Sequence, residues 1–358
     1  MQGGRTMTGL WAVIGSGRTM KVNTPIADRR STPAASPTAP GVSRRLLLGG
    51  LGALAAMPAL AAYPDRPITL MHGFAPGGSA DALARVLAPS LGSLLGQSMM
   101  VEPRPGAGGM VASGVISRAP ADGHTIGLLT GGHAVAAAFG RNITFDPVGG
   151  FTWISQVVEF GFVIAVRADH PARDLAALLQ MANTPAGLTF GSAGAGSTHH
   201  LAGELLGAMS GARLVHVPYR GEADAITGLM GGTLDCAVIT TVTAGPQIQG
   251  GRLRALAVTA PERLPAFPNV PPVAETVRGY AVTTWAGLAA PAGLPAPVLQ
   301  RLHQAVITLA QQPEHRSRLA ALVDGRVRTG SPEELRSLVA SEITRWRELI
   351  ASRNLTPD

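Results

Sequence analysis

The 358-residue chain is 46% hydrophobic and 4% aromatic, with 45 glycines and 28 prolines, a balance that suits a sizeable core cut by many tight turns. Its formal charge of +7 is concentrated at the start: residues 1–45 carry seven basic side chains against Asp28 alone, leaving 22 basic and 21 acidic side chains for the rest. A nearly neutral, aromatic-poor body argues against a nucleic-acid surface, and a body without lysine, Lys21 being the only one, excludes Schiff-base chemistry and a Walker-type phosphate loop.

Residues 1–42 are unpatterned and rich in Gly, Thr, Ser and Pro. They read as disordered, or as the product of a start codon assigned too far upstream. Ser43-Arg44-Arg45 then opens an apolar run from Leu46 to Ala62 that ends in the small-residue sequence Ala59-Leu60-Ala61. Charged, apolar and small-residue regions in that order predict a signal peptide over 43–62, cleaved near Ala61 or Ala62, with a twin-arginine outline. An N-terminal membrane anchor is the competing reading, for which 17 Gly- and Ala-rich residues are marginal.

From Ile68 onward, short apolar strands alternate with Gly-rich turns and amphipathic helices. A strand at Ile68–Met71 leads into the turn Gly73–Ser79 and a helix over Ala80–Leu95, whose Leu83, Val86, Leu87 and Leu91 share one face. A strand at Met99–Val101, a helix at Met110–Ser117 and a strand at Thr125–Leu129 follow. A second series runs through strands at Phe162–Val166, Leu188–Phe190, Leu214–Val217, Leu234–Ile239 and Ala255–Thr259. Its helices fall at Asp174–Met181, Ser197–Ser210 and Ala225–Met230. The Pro-rich stretch Pro261–Pro272 returns to a strand at Thr283–Leu288, and helices at Ala296–Ala310, Glu314–Leu322 and Glu333–Ser352 close the chain. Strand–helix–strand repetition predicts an α/β protein with parallel pairing, in two units with the second inserted in the first.

Three glycine-rich turns follow strands and precede helices: Phe74–Asp81, Pro105–Gly109 and Gly191–Thr198. Glycines let backbone approach a ligand, and the first-turn amides of a helix lack intrahelical partners, so such turns suit an anion. The third turn has the outline of a phosphate loop, but Ser197 stands where the lysine belongs, and none of the three turns contains a cation. Neutral amide and hydroxyl donors favour a carboxylate over a polyphosphate. His199 and His200 are adjacent on a helix and diverge by about 100°, which rules out a shared metal of the i, i+4 kind. One of the two is expected to face the Gly191–Thr198 turn, and His133 is a weaker candidate. Asp81, in the first turn of its helix, reads as a cap. No Gly-x-Ser-x-Gly nucleophile elbow occurs at a strand-to-helix turn, and the single cysteine, Cys236, supports neither a disulfide nor a cysteine metal site.

These motifs, taken in order, resemble the extracytoplasmic solute receptors of tripartite tricarboxylate transporters, the Bug family. The resemblance runs from Tyr63-Pro64-Asp65-Arg66-Pro67-Ile68 through Phe74-Ala75-Pro76-Gly77-Gly78-Ser79-Ala80-Asp81, Arg104-Pro105-Gly106-Ala107-Gly108-Gly109 and Ala121-Asp122-Gly123. It continues through Gly191-Ser192-Ala193-Gly194-Ala195-Gly196-Ser197 with His200, then Val217-Pro218-Tyr219-Arg220-Gly221, to Leu253–Thr259. It implies the type II periplasmic binding-protein fold, two α/β lobes joined by crossing strands with a ligand cleft between them. The corresponding limits are 63–165 plus 281–358 for lobe 1 and 166–280 for lobe 2. It also implies a monomeric periplasmic receptor without enzymatic activity, cofactor or metal, which captures a small carboxylate for membrane transporter subunits. By motif position the ligand contacts are Phe74, Gly78, Ser79, Ala80 and Asp81 from the first lobe and Ser192, Ala193, Gly194, Ser197 and His200 from the second, with Thr130 and Tyr219 beside them. Pro103, His124, Ala136–Arg141 and Asp224 depart from the family pattern and leave the ligand's identity open. An orphan receptor for sensing, and a cleft enzyme on the same frame, are the competing functions.

Overall fold

The computed structural model describes residues 63–140 and 143–355. The expected leader and signal segments at 1–42 and 43–62, and the expected cleavage near Ala61, lie outside the described residues.

The first half begins with β1 (Ile68–His72), α1 (Ser79–Leu95), β2 (Met99–Pro103), α2 (Met110–Ser117), β3 (Thr125–Thr130), α3 (Gly131–Phe139) and β4 (Phe151–Phe160). Next come β5 (Phe162–Arg167), α4 (Leu175–Met181), β6 (Leu188–Ser192), α5 (Thr198–Ser210), β7 (Leu214–Pro218), α6 (Glu222–Met230), β8 (Cys236–Thr240), α7 (Thr241–Gln249) and β9 (Leu253–Val258). The chain ends with β10 (Thr284–Pro291), α8 (Ala296–Gln311), α9 (Pro313–Val323), β11 (Arg326–Val327) and α10 (Pro332–Ser352).

The strands form two sheets, ordered β11-β4-β10-β3-β1-β2 and β7-β6-β8-β5-β9. Neither is wholly parallel. β1 runs parallel to β2 and β3, while β10 is antiparallel to both β3 and β4. In the second sheet β6 is parallel to β7 and β8, and β5 is antiparallel to β8 and β9. The expected parallel pairing therefore holds for the strand–helix–strand units and fails for the strands that link the sheets. The chain leaves the first sheet at Gly161, between β4 and β5, and returns between Val282 and Thr284, so β5 pairs entirely within the second sheet.

Alternation along each strand buries both faces. In β5, Phe162, Ile164 and Val166 pack with α4 and α5, whereas Val163 and Ala165 pack with α6 and α7. In the first sheet, Ile68, Leu70, Ile126 and Leu288 pack against Leu83, Leu87 and Leu91 of α1 and Leu302, Val306 and Leu309 of α8. The opposite face sets Met71, Leu129, Trp153 and Trp285 against Leu335, Val339 and Trp346 of α10. Each such leucine contributes about 1.5–3 kcal/mol on burial, and the two sandwiches fix the edges from which the site is built. No described helix is long and apolar enough to cross a membrane.

Candidate functional site

The site lies where the carboxyl ends of β1, β3 and β6 face one another across the break between the sheets. Strand β1 ends at His72, and the turn 73–78 delivers Gly78 as the N-cap of α1, with extended backbone and no side-chain cap. The first-turn amides of α1 are thereby left for other acceptors. Asp81 does not take them. Its Oδ2 accepts from Gly77 N (3.0 Å) and Arg85 Nε (2.9 Å), and Oδ1 lies 3.3 Å from His72 Nε2. Burial works to raise the Asp81 carboxyl, but these donors outweigh it and hold it below the usual range. Asp81 is thus an internal brace of the first turn, and its side chain is not part of the cavity wall.

In the second lobe, Ser197 caps α5. Its Oγ accepts from His200 N (3.2 Å) and donates to Gly194 O (2.6 Å). Gly194 adopts φ +122°, a backbone region favouring glycine, and its amide donates to Ser192 Oγ (3.0 Å). Ser192 Oγ also lies 2.6 Å from His216 Nε2. His200, fully buried, accepts from Gly196 N through Nδ1 (3.2 Å) and stacks between Phe139 and His216. The expected loop-facing histidine is therefore His200, and it holds the loop's own backbone. Tyr219 places its hydroxyl 3.3 Å from Thr233 Oγ1, within the second lobe. His133 is a core residue, bonded to Ser113 Oγ and Pro147 O and ringed by Phe145, Phe151 and Trp153. Burial pushes its pKa down to about 4.

The two lobes meet closely. Ala75 N donates to Arg220 O (3.3 Å), and Gly108, at φ +63°, lies so near Gly196 that a Cβ on Gly108 would stand 2.6 Å from the Gly196 carbonyl carbon. Between these contacts is a cavity of about 20 Å³, roughly the room for one water. Its wall includes Phe74, Gly78, Ser79, Ala80, Thr130 and Ala193 from the expected set. Asp81, Ser192, Gly194, Ser197, His200 and Tyr219 are not on that wall; they build the turns that shape it.

The remaining wall comes from Thr198, the last residue of the third glycine-rich turn, from His199, the other of the two adjacent histidines, and from four residues the sequence motifs did not single out: Phe160, Phe162, Glu222 and Thr284. Phe160 and Phe162 flank Gly161 at one crossing between sheets, and Thr284 stands at the other. Glu222, 3% exposed at the start of α6, is the electrostatic centre. Its Oε1 lies 2.6 Å from His199 Nε2 and accepts from Thr240 N (2.9 Å), while Oε2 accepts from Ser79 N (3.1 Å) across the cleft. Burial opposes ionisation, but His199 and the two amides prevail, so the carboxyl sits below its usual range. His199 Nδ1 is buried without a partner. Among the described residues no group of three or more His, Cys, Asp or Glu is placed to hold a metal ion, and the buried Cys236 thiol is pushed up to about 12. What the arrangement can do is enclose a small solute between two helix starts and an apolar floor.

Residues 83–355 match the model of the tripartite tricarboxylate transporter family receptor. A relative from Pseudomonas sp. (strain P51), the UPF0065 protein in the tcbD-tcbE intergenic region, is 36% identical over 89% of this chain and 97% of its own. The solved periplasmic binding protein BugD is 31% identical, with TM-score 0.78 over 82% of this chain and 99% of its own. R. palustris Rpa4515, solved with adipate, is 30% identical, with TM-score 0.79 over 83% of this chain and 100% of its own. The fold is that of solute-binding proteins, and the chain belongs to the tripartite tricarboxylate transporter receptor family, the Bug-type solute-binding receptors.

Proposed function

We propose that the chain is exported to the periplasm, where it acts as a monomeric, non-enzymatic receptor that takes up a small carboxylate-bearing solute for the membrane subunits of a tripartite transporter. The observation that carries this reading is the cavity between the start of α1 and the 191–198 turn, where two glycine-rich turns on different lobes meet. Two or three amide or hydroxyl bonds to an anion, at roughly 1.5–3 kcal/mol each, together with burial of the ligand's apolar body reach the roughly 8 kcal/mol of micromolar capture. Closure follows when the ligand's contacts in the shut arrangement exceed those in the open one. The adipate in Rpa4515 supports a carboxylate as the ligand class.

In this reading lobe 1 spans 63–165 plus 281–358 and lobe 2 spans 166–280, with the pairing of β5 arguing for moving the first limit back to Gly161. The ligand contacts come from Phe74, Gly78, Ser79, Ala80, Thr130 and Ala193. Asp81, Ser192, Gly194, Ser197, His200 and Tyr219 hold the turns in register. Titration calorimetry against carboxylates, amino acids and sugar phosphates tests the proposal. One-to-one binding of a carboxylate at micromolar Kd is expected. Binding confined to phosphorylated compounds would overturn it.

A further inference from the structure

The cavity wall carries one acid and no arginine or lysine. That acid, Glu222, is not available to a ligand as a hydrogen-bond acceptor, because the protein fills it. Oε1 has His199 Nε2 and Thr240 N; Oε2 has Ser79 N (3.1 Å), Thr240 Oγ1 (2.9 Å) and Thr243 Oγ1 (3.3 Å). A carboxylate offers about four lone-pair positions, so this one acts on a ligand as a fixed negative charge. It also occupies Ser79 N, one of the first-turn amides of α1 that would otherwise be open to an incoming anion.

Beyond the backbone of α1 and the hydroxyls of Thr130, Thr198 and Thr284, the wall consists of His199, whose Nε2 is spent on Glu222, and of the apolar Phe74, Phe160, Phe162 and Ala193. A ligand carboxylate has the remaining first-turn amides of α1 and the hydroxyls of Thr130 and Thr198 within its range. A second carboxylate on the same small molecule would have to lie in this apolar space beside Glu222, where like charges a few ångströms apart repel strongly. Resting on the receptor reading above, we propose that Glu222 is a charge selector, restricting the ligand to a small monocarboxylate with an apolar body and rejecting dicarboxylates of the same length.

The experiment is calorimetry on the chain from Tyr63 onward with three matched pairs: pentanoate and glutarate, hexanoate and adipate, benzoate and phthalate. In the unmodified protein the monocarboxylate of the pair that binds should be favoured at least tenfold, about 1.4 kcal/mol. Glu222→Gln and Glu222→Ala should each shrink that preference by fivefold or more, whatever they do to absolute affinity. The preference of the unmodified protein is a test in itself should both variants fold poorly. A dicarboxylate binding as tightly as its partner, or a preference unchanged in a folded Glu222 variant, would overturn the assignment. Binding of none of the six acids at millimolar concentration would remove the receptor reading itself, and this inference with it.

Discussion

Gly108→Ala tests whether the lobes must touch for the site to form. The residue sits at φ +63°, where an alanine costs roughly 1–2 kcal/mol, and its new methyl would meet Gly196 C at 2.6 Å, Gly196 O at 2.8 Å and Ser197 N at 2.8 Å. These are backbone atoms of the opposite lobe, so relief requires the lobes to part by several tenths of an ångström. Of the cleft-spanning bonds, Ala75 N–Arg220 O is already long at 3.3 Å and Ser79 N–Glu222 Oε2 stands at 3.1 Å; a parting of several tenths of an ångström would carry both past hydrogen-bonding range. Losing one neutral and one charge-assisted bond destabilises the closed arrangement by about 2–4 kcal/mol, or a fall in ligand affinity of about 30- to 1000-fold. Gly251→Ala supplies the control: Gly251 has φ +65° with nothing within 4 Å of a new Cβ, so it shares the backbone strain without the clash. Calorimetry measures affinity, and solution scattering reads closure through the radius of gyration. Equal affinity and equal ligand-induced compaction in Gly108→Ala and Gly251→Ala would refute the reasoning.

Ser197→Ala removes the cap of α5 and should lower unfolding stability by about 1 kcal/mol in urea titration, with ligand affinity changed less than twofold, since its hydroxyl is spent on Gly194 O and His200 N. Glu342 accepts from Trp285 Nε1 (2.6 Å), and burial raises its pKa to about 7. A raised folded-state value means the native state favours the protonated form, so its contribution is intact below about pH 4.5 and is lost as pH rises through 7. Glu342→Gln should therefore melt close to the unmodified protein at pH 5 and above it at pH 8, by a stability difference on the order of 1–3 kcal/mol; equal shifts at both pH values would contradict this. For the leader, N-terminal sequencing of protein from the periplasmic fraction should begin near Ala62, and changing Arg44 and Arg45 to lysine should stop export; unimpaired export would reject the twin-arginine route.

Much of the frame was legible because its signals are local. The stripe of Leu83, Leu87 and Leu91 marks α1, and the glycine turns mark where strands hand over to helices. Elements buried on all sides carry no such stripe. All but the last residue of α3, Gly131–Phe139, are buried, and the helix opens on two glycines; it therefore shows no amphipathic period. β4 hides behind Ser155 and Gln156, polar residues buried at its centre, where Ser155 Oγ bonds Gly330 O. α7 contains Gly245-Pro246, which reads as a turn. In the site, motif order located the two turns, and Phe74, Gly78, Ser79, Ala80, Thr130 and Ala193 of the expected set line the cavity, but it did not separate these from the residues that build the turns. Ser192, Ser197 and His200 turned out to hold the loop's own backbone, the common fate of small polar residues beside glycines. Glu222 belongs to no motif and precedes the helix expected at Ala225–Met230, which in the structure begins at Glu222 itself. Its meaning comes from Ser79, 143 residues away in sequence, and no local pattern encodes that distance.

The most direct test of the central claim is a crystal structure of the chain with the carboxylate that binds it best in calorimetry. The account predicts the ligand between the lobes, its carboxylate within hydrogen-bond distance of the α1 first turn or of Thr130 and Thr198, and its body against Phe74, Phe160 and Phe162. A ligand held elsewhere, for instance in the open groove beside Tyr63 and Arg301, with the space between α1 and the 191–198 turn untouched, would contradict it.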